Sequence, residues 1–157
     1  HYDEALAILR TLVAADPAKY GPAFLAWVHD PVGWQLRGAG QNVKAEALAN
    51  EAVAIARGLG DRYQEANAQL NIGAALWGIA ERRAEAFAHY DEALAILRTL
   101  VAADPAKYGP TFLAWVHDPI GWQLRGAGQN AKADALAAEA AAMAGGTPLG
   151  ARDSGGA

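Results

Sequence analysis

Apolar residues recur along this chain at spacings of three and four, the period of an α-helix. Residues 1–15 place Tyr2, Ala5, Leu6, Leu9, Leu12 and Val13 on one face. Asp16-Pro17 stops this first helix, because the residue before a proline avoids the α region and proline brings no N–H. The linker DPAKYGP follows, and Pro22 suits the first turn of a second helix. That helix carries Phe24, Val28, Val32 and Leu36 as a core stripe. Pro31 lies inside it and should kink or break it, with Asp30 as N-cap of the restart. Gly38 and Gly40 end it. A third helix over 42–57 turns Leu48, Ala52, Val53 and Ile55 inward, and Gly58-Leu59-Gly60 breaks it. A fourth, capped by Asp61, runs from near Arg62 to Ala80 with Ala68, Ile72, Leu76 and Ile79 inward. A fifth runs from near Arg83 to Ala103. No segment shows the alternation of a strand. Short linkers make successive helices antiparallel.

The pattern repeats because the sequence does. His89 to Asn130 duplicates His1 to Asn42 with two differences, Thr111 for Ala23 and Ile120 for Val32. The sixth and seventh helices therefore repeat the second and third. The seventh has lost bulk, with Ala141 for Val53 and Met143 for Ile55. The duplicated stretch begins on one hairpin and ends at the turn inside another, so it is a slice of a continuous array. The expected organisation is a helical domain over 1–144, with an unpaired first helix and hairpins at 22–57, 61–103 and 110–144. A glycine-rich tail, 145–157, reads as coil.

Composition narrows the function classes. The 157 residues carry 13 basic and 17 acidic side chains, net −4, and no cysteine. That excludes disulfides and thiolate chemistry, and it leaves no basic footprint for nucleic acid or for a membrane surface. No apolar run is long enough to span a bilayer. His1 is not a natural start, so the lack of a targeting signal carries little weight; a cytoplasmic setting is the expectation.

An array of helix hairpins with a period of this size is a solenoid signature. The central hairpin resembles the tetratricopeptide repeat family: Ile72-Gly73 stands at its Leu-Gly pair, Leu76 at a large position, and Ala86, Tyr90 and Ala93-Leu94 at its second-helix positions. The flanking hairpins follow with Val32-Gly33 and Ile120-Gly121, Gly40 and Gly128, Ala45 and Ala52-Val53, Ala133 and Ala140-Ala141. Glycine and alanine there would allow close approach of two helix backbones. Pro31 and Pro119 depart from the family pattern, as do Ala49 and Ala137 where it has an aromatic. The lengthened repeats, with DP-x-x-Y-x-P linkers, look like bacterial variants. The resemblance implies an all-α, right-handed α-solenoid of about seven helices.

It also implies that the first helix of each hairpin lines a concave groove. A second stripe then supplies Trp27, Asp30, Trp34 and Arg37 from one hairpin, Asn67, Leu70 and Trp77 from the next, and Trp115, Asp118, Trp122 and Arg125 from the third. All five tryptophans fall on this stripe. They either pack on neighbouring hairpins or face a ligand, and tryptophan and arginine are enriched at binding hot spots. The family's peptide-carboxylate clamp is not expected: only Asn71, Arg37 and Arg125 come near it, beside acidic Asp30 and Asp118. His29-Asp30 and His117-Asp118 are adjacent pairs whose side chains diverge on a helix, so they read as caps rather than metal or acid–base sites. Asp3-Glu4 and Asp91-Glu92 read as surface charge. No catalytic residue, metal or cofactor is expected. The partner is expected to be a protein or peptide bound by a noncatalytic interaction module in a larger bacterial protein. The alternative is a self-assembling repeat protein, a homo-oligomer stacked through the unpaired first helix, whose Leu6, Leu9 and Val13 would need outside cover.

Overall fold

The structure, a computed structural model, describes residues 1–144; the tail expected to be coil, 145–157, lies outside the described residues. Among them there is no strand. Nine α-helices run in order: α1 (Tyr2–Ala15), α2 (Pro17–His29), α3 (Val32–Gly38), α4 (Asn42–Leu59), α5 (Arg62–Trp77), α6 (Arg83–Ala103), α7 (Pro105–Trp115), α8 (Trp122–Gly126) and α9 (Asn130–Ala144). A 3₁₀ turn, Ala80–Arg82, leads into α6. Taking α2 with α3 and α7 with α8 as legs broken at Asp-Pro leaves the seven helical legs of an all-α repeat fold.

The chain divides into two compact units, His1–Ile96 and Leu97–Ala157. In the first, α2 packs between α1 and α4, and α4 packs on α5. The expected stripe of Phe24, Val28, Val32 and Leu36 is buried. On α4 the buried set is Ala45, Leu48, Ala49, Ala52, Val53 and Ala56, with Ile55 only half-buried. Small side chains on this helix let its neighbours come close, so α5 is buried continuously from Glu65 to Gly73. Two ion pairs fasten α1 to α4: Asp3 with Lys44, and Arg10 with Glu51. In the second unit α9 packs on α7 and α8, and Arg98 meets Glu139 as the duplicate of the Arg10–Glu51 pair.

Helix boundaries follow capping chemistry. The second leg begins at Pro17, not at Pro22 as the sequence suggested, and its copy begins at Pro105. Asp16 and Asp104 cap these ends, accepting from the backbone N–H of Lys19 and Lys107 at 3.2 Å. The DPAKYGP stretch is thus helical, and the hairpins span 17–59, 62–103 and 105–144 rather than starting at 22 and 110. The fourth leg ends at Trp77, short of Ala80. Three legs end alike, on Gly40, Gly60 and Gly128 at φ 75°, 69° and 78°. The next residue's N–H then reaches back to Leu36, Ala56 and Leu124 carbonyls at 2.8, 3.0 and 2.8 Å, which satisfies otherwise orphaned acceptors.

One expectation about the first helix is overturned. Leu6, Leu9 and Val13 are buried within the chain itself, under α2 and α4, and need no outside cover. The large apolar residues that α1 does expose are Tyr2 and Ile8.

Candidate functional site

Both broken legs carry the same local chemistry. At Asp30 the backbone leaves the helical region (φ −156°, ψ 130°), and the Asp30–Pro31 peptide is cis. Asp118 does the same (φ −148°, ψ 124°) before cis Pro119. Asp30 closes α2 through its own N–H to Ala26 O at 2.9 Å; its side chain does not cap α3, contrary to expectation, because the N-cap position falls to Pro31. The glycines that follow are explained by the break rather than by helix–helix approach. A Cβ on Gly33 would lie 1.8 Å from Val28 O, and one on Gly121 2.3 Å from Val116 O. At Gly73 the close-approach reading holds: a Cβ there would lie 2.3 Å from the Tyr90 ring.

In the first unit the residues expected on one stripe have different surroundings. Trp27 faces a small apolar cavity of about 190 Å³ shared with Tyr2, Ala5, Pro31 and Val32, and Tyr2 OH donates to Gln35 Oε1 at 2.6 Å. Trp34 is 68% exposed and Asp30 is exposed. Arg37 turns inward and donates to Asn71 Oδ1 at 3.1 Å. Burial pushes its pKa below the ordinary guanidinium value. Because arginine only donates, it fixes the orientation of the Asn71 amide. The Asn71 nitrogen then donates to Asn67 O at 2.9 Å and to His29 Nδ1 at 3.1 Å. His29 is thereby held as the tautomer protonated on Nε2.

Asn67 and Leu70, expected to face a ligand, are both buried, because α5 packs on α4 and also meets α6 through Gly73–Tyr90 and Gln69–His89. Trp77 is half-buried: its ring meets the edge of Phe87 at 5.8 Å, and the Arg83 guanidinium lies over it at 4.9 Å. Sequence reasoning also passed over Glu65 and Gln69, two polar residues that hold α5. Glu65 pairs with Arg57 and Arg62 at 2.9 and 2.6 Å, and His89 Nδ1 donates to Gln69 Oε1 at 2.7 Å. Glu65, Asn67, Gln69 and Asn71 fall on every other residue, which resembles neither a core stripe nor a solvent face.

In the second unit Asp118, Trp122 and Arg125 come together around a cavity of about 250 Å³ that also meets Leu113, Gly121 and Ala137. Trp122 is 70% exposed. Trp115 is half-buried and does not line that cavity. Arg125 pairs with Asp134 at 2.8 Å. Among the described residues no three His, Asp or Glu side chains are grouped to hold a metal ion, and no helix is long and apolar enough to cross a membrane.

Comparison with known proteins adds one finding. No curated protein and no solved structure matches the chain. Residues 32–99 match the family model of the tetratricopeptide repeat. The matched stretch runs from α3 through most of α6 and includes the Gly73–Tyr90 contact between paired helices. By that match, residues 32–99 belong to the tetratricopeptide repeat family, and the paired helices of the fold agree with it.

Proposed function

We propose that this chain is a noncatalytic interaction module that binds a peptide or helical segment of a partner protein. Repeats of this family generally mediate protein–protein interaction. The observation that carries the finer reading is the exposure of Trp34 and Trp122, duplicate residues that place about the same large apolar area in solvent. Burying such a ring contributes roughly 1.5–3 kcal/mol or more, so leaving two of them wet suits a surface that a partner covers. Asp30 with Trp34, and Asp118 with Trp122 and Arg125, give each surface a polar rim. Asn67 and Leu70 take no part. The linker resemblance supports a larger bacterial protein as the setting. The test is replacement of Trp34 and Trp122 by alanine, singly and together. Partner affinity should fall at least tenfold in the double variant with helicity unchanged; unchanged affinity would defeat the reading.

A second reading, end-to-end self-assembly, is favoured by one observation. Ile8 is 64% exposed, whereas its duplicate Ile96 is 9% exposed. Tyr2 is likewise exposed where Tyr90 is buried. Sedimentation should then show mass rising with concentration, and Ile8→Glu should abolish the rise; a monomer at all concentrations removes this reading.

A further inference from the structure

The duplication lets one half of the chain show what covers the other. In the first unit the face built by α2, α3 and α4 is occupied by α5. Leu25 is 4% exposed there and Ala49 is buried. Asn71 of α5 sits between Arg37 and His29, accepting from one and donating to the other. In the second unit the duplicates of these residues are Leu113, Ala137, Arg125 and His117. Leu113 is 42% exposed, Ala137 is exposed, and the cavity of about 250 Å³ lies between them. Among the described residues Arg125 has no Asn71 counterpart, and it pairs with the exposed carboxylate of Asp134. An exposed pair of this kind contributes little and is readily exchanged for a ligand.

We infer that this face of the second unit, formed by α7, α8 and α9, is a docking surface for an amphipathic helix of the α5 type carried by a partner protein. The required chemistry is read from α5. A central asparagine accepts from Arg125 and donates to His117. A leucine or isoleucine beside it covers Leu113. Small residues cross Ala133 and Ala137, where bulk would hold the helix away. This rests on the interaction reading above and narrows it for the second unit, where Trp122 lines the same cavity.

The probe is a synthetic peptide with the sequence of residues 61–79, labelled and titrated into the full chain by fluorescence anisotropy. Saturable binding is expected. The peptide carrying Asn71→Ala should bind about tenfold more weakly, since it loses a charge-assisted hydrogen bond. In the chain, Ala137→Gln should reduce binding at least tenfold, because the added side chain fills the seat of the helix. Ala137 is exposed and glutamine is a good helix former, so the variant should keep its circular dichroism spectrum. Absence of saturable binding overturns the inference, as does equal binding by the Ala137→Gln chain. So does competition between the peptide and self-association of the chain, which would make a second copy the occupant. None of these failures touches the Trp34 surface, so loss of partner binding in Trp34→Ala would leave the broader function standing.

Discussion

Gly73→Ala tests how closely α5 and α6 approach. The added methyl would lie 2.3, 2.6 and 2.9 Å from three carbons of the Tyr90 ring. Tyr90 is among the largest fully buried side chains of the described residues. Overpacking of this kind costs about 1–3 kcal/mol. Against it stands the helix preference for alanine over glycine, about 1 kcal/mol in a helix interior. Three ring carbons under 3.0 Å put the clash in the upper part of that range, about 2–3 kcal/mol, so it should win with a net loss of roughly 1–2 kcal/mol. At about 2–4 °C per kcal/mol for a chain of this size, Tm should fall by roughly 2–8 °C in thermal scans followed by circular dichroism. Gly58→Ala is the control, since nothing lies within 4 Å of a Cβ there; it should be neutral or stabilising. In a Tyr90→Leu background the cost of Gly73→Ala should shrink by about 1 kcal/mol, the coupling expected of neighbours. A Gly73→Ala chain as stable as the wild type, or a cost unchanged by Tyr90→Leu, would refute the packing argument.

Gly33→Ala should cost more than Gly73→Ala, because the obstacle at 1.8 Å is the Val28 carbonyl rather than a side chain; urea midpoints in the reverse order would contradict this. Arg57→Ala and Arg62→Ala should each cost about 1 kcal/mol, since one arginine still pairs with the buried Glu65 carboxylate. The double variant leaves that charge unpaired and should cost about 3–5 kcal/mol, and an additive cycle would disprove the shared pairing. The Lys44 and Arg82 side chains hold the Asp3 and Glu85 carboxyls below their ordinary values. Depressed folded-state values give stability that is present above the unfolded carboxyl pKa and lost as pH falls through the folded one. Lys44→Ala and Arg82→Ala should therefore flatten the acid limb of stability against pH, and identical acid limbs would exclude these pairs as contributors.

The fold was legible because helical periodicity, turn glycines and the duplication all point the same way. Pro31 announced the break in its leg. The start of that leg was misread because Asp16-Pro17 can end one helix and begin the next. Asp16 does both, its backbone N–H closing α1 on Leu12 O and its side chain accepting from the Lys19 N–H to start α2. The site was less legible. The stripe of Trp27, Asp30, Trp34 and Arg37 leaves out the cover that α5 brings in the first unit, where its Asn71 meets Arg37 and Trp34 stays in solvent. The duplicates Asp118, Trp122 and Arg125 do share one cavity. The burial of Asn67 and Leu70 depends on α5 being covered from two sides, which no local pattern encodes.

The polar residues of α5 have a consequence for assembly order. An all-apolar helix can slide along its neighbours at small cost, because one methyl contact replaces another. Glu65, Gln69 and Asn71 meet specific partners on three different segments. Sliding α5 by one turn, about 5.4 Å, would part Glu65 from Arg57 and strand Gln69 and Asn71, at about 1–3 kcal/mol each. These groups act as the teeth of a key, selecting one axial setting and rejecting near neighbours. In an array whose parts are near-identical copies, such a key keeps each helix from seating on the wrong duplicate.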